Sequence, residues 1–327
     1  MKLRRVLSAA SPDPVLQVET ARGWVSVGAA LTRIDWGLSD DVTALYASDA
    51  VALLGAEPML LKIMRDVAAA LSPDPPSIGN ALLPFDPRSY RDFMLYEQHA
   101  IDAARGFVRQ FMPKALPAIR AYEKLTGKPF PALKPKPLWY RQPIYYMGNH
   151  LAFVPSGSEV EMPAYTQALD YELELGFVLA KPLLDATPEQ AEAAIGGFVV
   201  FNDLSARDVQ RDEMDSGFGP QKSKHFCNLM SAVVVSADEI LPRWQQLTGS
   251  VMLNNAPVAT LSSAGAKYSL GEALAHASRG EQLYPGEFFA TGTWPGGCGI
   301  EQGRLLKRSD RLKLTIDGIG VASCRIV

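Results

Sequence analysis

Three carboxylates interleave with apolar residues between positions 169 and 175: Asp170, Glu172 and Glu174 alternate with Leu169, Tyr171, Leu173 and Leu175. Period-two alternation is the pattern of a strand with one apolar face, so the acids share the other face. Neighbours on one strand face stand about 7 Å apart. Like charges at that spacing in an interior strand raise each other's proton affinity unless something positive lies against them. A hard divalent cation with oxygen ligands would meet that need. The bland alternative is a solvated strand face, and E-x-E spacing alone does not separate the two. A further acid, Asp203, follows the apolar run Phe198–Phe201 and Asn202, where a strand would hand over to a helix.

The elements that must position these groups are legible to different degrees. Residues 88–112 place Phe93, Tyr96, Ala100, Ala103, Phe107 and Phe111 at helical spacing, which predicts one helix over the whole segment. That helix would carry His99, with Asp92 two turns earlier on nearly the same side. A lone histidine on an amphipathic helix is more commonly a surface or packing residue. Ser205 reads as the N-cap of the helix after Asp203, and Asp208 as its capping acid. Thr187-Pro188-Glu189-Gln190 is a helix start with a capping box, its helix expected to run to Gly196-Gly197, and Ser269 with Glu272 opens another. His276 rides on that last helix and is assigned no chemistry. The loop SGFGPQKSKHF carries Lys222 and Lys224, solvent-facing by default. Val233–Val235, Val251–Leu253 and Leu312–Ile316 read as strands, the last leading to a turn at Asp317-Gly318.

The chain has 327 residues, 47% of them hydrophobic and 20% charged, enough for a sizeable core in one large or two smaller domains. Its 32 basic and 35 acidic residues include no basic block, which removes the footprint of a nucleic-acid surface. No apolar run is long enough to span a membrane and MKLRRVLSAASPDP lacks a signal-type core, so a cytoplasmic location is expected. Three cysteines, Cys227, Cys298 and Cys324, without C-x-x-C spacing argue against a disulfide framework or a structural zinc site. Residues 1–81 read as a small N-terminal α+β module: a hairpin around Ala21-Arg22-Gly23, then a helix over 57–71, ending at the proline-rich SPDPP of residues 72–76. Residues 82–327 form the expected catalytic body, in which the proline- and lysine-rich stretch 112–143 is expected to cover a site.

Taken in order, RDFMLYEQH (91–99), YYMGN (145–149), DYELEL (170–175), NDLSARDVQ (202–210), GPQKSKHF (219–226) and ATGT followed by Gly299-Ile300-Glu301 resemble the fumarylacetoacetate hydrolase family. The resemblance covers about 82–327. It implies an α+β, mainly β fold, a mixed β-roll with peripheral helices, usually dimeric. Matched position by position, it implies metal ligands at Asp92, Glu172, Glu174 and Asp203, for Mg2+ or alternatively Ca2+ or Mn2+. It implies a catalytic His99 with Glu301 as its partner, and Lys224 in catalysis. Tyr146, Arg207, Gln210 and Thr293 match substrate-binding positions, and Asp170 an outer supporting acid.

The chemistry so implied is hydrolysis of a carbon–carbon bond in a β-diketone or acylpyruvate, through a metal-chelated enolate and a water activated by the His–Glu pair. The alternatives are a decarboxylase or isomerase of 2-oxo-dicarboxylates in aromatic catabolism, in which the pair matters less, and a catalytically silent member. Several positions depart from the prototype. Met94 stands in place of a tyrosine and Val108 in place of a carboxylate-gripping arginine, with Arg109 adjacent. Ser223 and His225 replace the glycine and aspartate of a KGKDF loop, and Ser231-Ala232 a Gly-Pro. A substrate other than fumarylacetoacetate is expected.

Overall fold

The computed structural model describes residues 1–9 and 11–327. An eleven-stranded mixed sheet and a five-stranded sheet carry most of the chain, with helices around them. At the centre of the large sheet, Leu173–Leu179 pairs antiparallel with both Ile195–Asp203 and Glu287–Ala290. Glu287–Ala290 then runs parallel to Ser89–Phe93, which pairs with Tyr145–Met147. The smaller sheet is ordered 256–262, 248–253, 311–316, 320–326, 159–160.

Both faces of the large sheet are covered, which explains why every residue of its two central strands is buried. On one face Leu173, Leu175, Phe177 and Phe198 join Val251, Leu253, Leu314 and Ile316 of the smaller sheet in one core. On the other, Val178, Val199, Phe201 and Phe288 pack with N-terminal residues such as Leu3, Leu16, Leu53 and Met64. Fully buried side chains of this size contribute roughly 1.5–3 kcal/mol each. The N-terminal strand Lys2–Ser8 pairs with Val233–Ser236, so the hairpin 11–20/23–26 continues the large sheet. The helix Pro58–Ala70 stops before the proline-rich boundary, and both capping boxes form. No helix among the described residues is long and apolar enough to cross a membrane.

Four local expectations are corrected. Residues 88–112 are not one helix: Ser89–Phe93 is a strand and the helix begins at Glu97, so Asp92 and His99 lie on different elements. Pairing of both edges of this segment outweighs its helical spacing. Ser205 is a short bridge to Asp170 rather than a cap, and its hydroxyl donates to the Asp203 carbonyl. Asp208 does lie in the first turn of the helix Arg207–Asp215, as expected, and also accepts from Thr166 Oγ1 and the backbone of Gln167. Gly196 and Gly197 belong to a strand, the preceding helix ending after Glu192. Finally, the proline-rich stretch contributes Ile119 and Leu133 to a cluster with Ile101 and Val108. Those two lie on the helix face opposite His99, so this part of the stretch covers the back of the helix that carries His99.

Candidate active site

Three strands of the large sheet aim their acids at one point, Glu174 and Asp203 from adjacent strands and Asp92 from beyond the intervening strand Glu287–Ala290. Asp92, Glu174 and Asp203 are fully buried or nearly so, and one oxygen from each lies within 4.8 Å of the others. Each keeps one oxygen supported: Tyr90 OH donates to Asp92 Oδ2 (3.2 Å), Thr293 Oγ1 to Glu174 Oε1 (3.1 Å), and Tyr146 OH to Asp203 Oδ2 (2.7 Å). The other three, Asp92 Oδ1, Glu174 Oε2 and Asp203 Oδ1, have no hydrogen-bond partner. Buried unpaired carboxylate oxygens are costly. Burial first, and then the neighbouring carboxylates, push Asp92 and Glu174 well above the usual carboxylate range; burial raises Asp203 as well. Three convergent oxygens from an all-carboxylate set fit a hard divalent cation such as Mg2+, Mn2+ or Ca2+.

Glu172 stands apart from this trio. Its Oε1 accepts from Arg207 Nη2 (2.7 Å) and its Oε2 from Lys224. Burial alone would raise Glu172, but Arg207 and Lys224 outweigh it and hold the group well below the carboxylate range. Lys224 is buried, not solvent-facing, and bridges Glu172 to Asp203. Those two acids keep its ammonium charged against the effect of burial. Its loop is anchored by Glu213, whose carboxylate accepts from the backbone of Gln221 (2.7 Å) and Lys222 (2.8 Å) and from Ser223 Oγ (2.6 Å). Arg207 ties the site together: Nε donates to Asp170 (2.8 Å), Nη2 to Glu172 and Nη1 to Gln210 Oε1 (2.9 Å).

His99 Nδ1 is hydrogen-bonded to Glu301 Oε1, and His99 Nε2 faces Glu172 Oε1 at 4.0 Å, on the side of the acids. Glu301 sits on the short helix Gly299–Gln302, whose first N–H groups donate to Asp170 from Gly299 (2.7 Å) and Ile300 (3.0 Å). Its Oε2 accepts from the Gly296 N–H (2.6 Å), while Cys298 Sγ donates to Oε1 (3.2 Å). Arg109 holds the end of this helix through the carbonyls of Ile300 (2.6 Å) and Glu301 (2.9 Å). Val108 is buried in the apolar cluster behind the helix, so it offers no grip on a substrate carboxylate. An oriented imidazole beside a carboxylate cluster and a buried ammonium can abstract a proton and stabilise negative charge nearby.

Sequence reasoning passed over Tyr90, Glu213, Asn202 and Cys298. Tyr90 shares a face with Asp92 only because 89–93 is a strand, so the helical reading of 88–112 hid it. Asn202, whose Oδ1 accepts from the Glu172 N–H (2.9 Å), is one residue from Asp203. Glu213 sits on the helix Arg207–Asp215 and caps the loop that follows it, while Cys298 reaches Glu301 from a loop whose approach to His99 no local pattern encodes.

Oxaloacetate tautomerase FAHD1, mitochondrial, from Homo sapiens is 27% identical over 178 residues, 54% of this chain and 78% of that protein. Oxaloacetate tautomerase YisK from Bacillus subtilis (strain 168) is 30% identical over 187 residues, 57% and 59% respectively. The fold matches a fumarylacetoacetate hydrolase from Exiguobacterium antarcticum with a TM-score of 0.70, at 20% identity over 100% of this chain and 99% of that one. It also matches a fumarylpyruvate hydrolase from Pseudomonas aeruginosa solved with Mn2+ and pyruvate, with a TM-score of 0.56 at 21% identity over 78% and 99%. The fumarylacetoacetate (FAA) hydrolase C-terminal family matches residues 120–327, and the chain belongs to that family.

Proposed function

We propose that this protein is a metal-dependent hydrolase that cleaves the carbon–carbon bond of an acylpyruvate or β-diketone. The observation that carries the reading is the His99–Glu301 hydrogen bond, which leaves Nε2 directed towards the acids. A divalent cation held by Asp92, Glu174 and Asp203, Mg2+ or Mn2+, would supply a Lewis acid for the two oxygens of a 1,3-dicarbonyl. His99 takes the proton of a water through Nε2, with Glu301 fixing the ring and balancing the charge it gains. Lys224 stabilises the oxyanion that forms as the water adds to the carbonyl, and Gln210 and Tyr146 orient the substrate. The proton on His99 then passes to the carbon of the departing fragment. Replacement of the prototype's arginine by a buried Val108 supports a substrate without a distal carboxylate there.

The second reading is isomerisation or decarboxylation of a 2-oxo-dicarboxylate, and the names of the curated relatives, oxaloacetate tautomerases, favour its keto–enol form. The two separate on one assay: acylpyruvates, diketones and oxaloacetate with Mg2+ or Mn2+ in ¹⁸O-labelled water. Label in a newly formed carboxylate supports hydrolysis. Tautomer exchange or carbon dioxide release without label in any product would establish the second reading.

A further inference from the structure

We propose that Cys298, His99 and Glu301 form a second metal site, for a thiophilic divalent cation such as Zn2+, and that filling it switches the base off. Cys298 Sγ lies 3.2 Å from Glu301 Oε1, the same oxygen that His99 Nδ1 engages, and all three donor atoms are within 4.8 Å of one another. With bonds of about 2.3 Å to sulfur and 2.0–2.1 Å to nitrogen and oxygen, tetrahedral zinc sets its ligands roughly 3.3–3.6 Å apart. The sulfur–oxygen pair, at 3.2 Å, needs to open by only a few tenths of an ångström, and the imidazole must move away from the carboxylate by about 1 Å. A mixed N, S, O set selects Zn2+ or Cd2+ over Mg2+, whereas the all-oxygen acid cluster selects the harder ion. A cavity of about 380 Å3 reaches Glu301; Asp102, Gly106 and Gln302 line it together with Arg105 and Arg109, whose guanidinium groups are engaged by Asp102 and Glu123 and by the carbonyls of Ile300 and Glu301. It opens the Glu301 side of the trio to water and ions, while Cys298 and His99 lie buried behind it.

The binding step balances. The Cys298 thiol releases one proton to solvent as the metal–sulfur bond forms, and the Nδ1 proton of the neutral imidazole moves to Nε2 as nitrogen binds the ion. Thiolate and carboxylate together neutralise the dication. Nε2 then carries a proton and can no longer take one from water, so the Mg2+ site stays filled while the base is lost. Only this inhibitory half rests on the hydrolase reading.

The experiment uses the full-length, Mg2+-loaded protein and its Cys298→Ser variant, which keeps a hydroxyl donor at that place without a thiolate. Titration with Cd2+ is followed by the ultraviolet thiolate-to-cadmium absorption, and turnover is then titrated with Zn2+, each protein referred to its own zinc-free rate. The expected result is a band saturating at one Cd2+ per chain in the wild type and absent from Cys298→Ser, with zinc inhibition weakened at least about tenfold in the variant. No band in the wild type, or a band that survives Cys298→Ser, overturns the site. Equal zinc inhibition of both proteins overturns the switch and places zinc at the acids. A Cys298-dependent band with no inhibition upholds the site and overturns the role of His99 as base.

Discussion

The carbonyl oxygen of Ile300 rests against Gly106: a Cβ built on that glycine would stand 2.4 Å from it. Gly106 is two turns along the helix from His99, on the same face. The missing side chain therefore lets the helix Gly299–Gln302 approach closely enough for Glu301 to reach the imidazole. Gly106→Ala should cost about 1–3 kcal/mol of stability by overpacking. By separating His99 from Glu301 it should lower turnover by up to about 10²-fold. Thermal unfolding and steady-state rates check this; an unchanged rate would mean that the two helices can part without harm.

Replacing His99 by Ala or Glu301 by Gln should reduce hydrolytic turnover by on the order of 10²–10⁴, the usual contribution of a positioned base. Neither belongs to the acid trio, so calorimetric affinity for Mg2+ or Mn2+ should stay within a few-fold of wild type. Turnover that persists in both variants argues for the tautomerase or decarboxylase reading.

Glu174→Gln should act in opposite directions on stability and on metal binding. The amide oxygen can still accept from Thr293, while one of three mutually repelling carboxylates is gone. The metal-free protein should melt at a higher temperature than wild type, and metal binding should be lost. Retained affinity would remove Glu174 from the ligand set.

The pH dependence follows from the same acids. Burial and the neighbouring carboxylates raise Asp92 and Glu174, and burial with Glu172 raises Asp203, so the folded metal-free chain holds protons that the unfolded chain has released. Their contribution to stability is fully present below about pH 4 and is lost as pH rises through the raised folded values. A bound cation displaces those protons and removes the penalty. The gap in melting temperature between metal-loaded and metal-free protein should therefore widen as pH rises above about 4. A gap that is constant with pH would count against these acids as ligands.

Asp170→Asn should be among the most damaging single changes. Asp170 is fully buried, accepts from Gly299 and Ile300, and pairs with Arg207, which in turn holds Glu172. Breaking a buried pair from one side costs about 3–5 kcal/mol. Chemical denaturation measures it; a loss below about 1 kcal/mol would show that Arg207 is satisfied without Asp170.

By itself the sequence determined what is local. Period-two alternation marked Leu169–Leu175 as strand with its acids on one side, although the strand is interrupted at Tyr171 and Glu172. Thr187 with Gln190 and Ser269 with Glu272 marked helix starts, because a capping box is closed by residues three apart. The motif order also carried the family and its α+β, mainly β fold. What the tertiary structure decided is which groups meet. Residues 88–93 carry helical spacing yet become a strand, because Glu287–Ala290 and Tyr145–Met147 satisfy their backbone from both sides. Asp92 thereby leaves the helix of His99 and joins Glu174 and Asp203, while Glu172 is taken up by Arg207 and Lys224. Glu301 comes to His99 across 202 positions of chain. Strand order and helix approach set such distances, and neither is written in a local pattern of residue types, because the pairing partners lie far away in the chain.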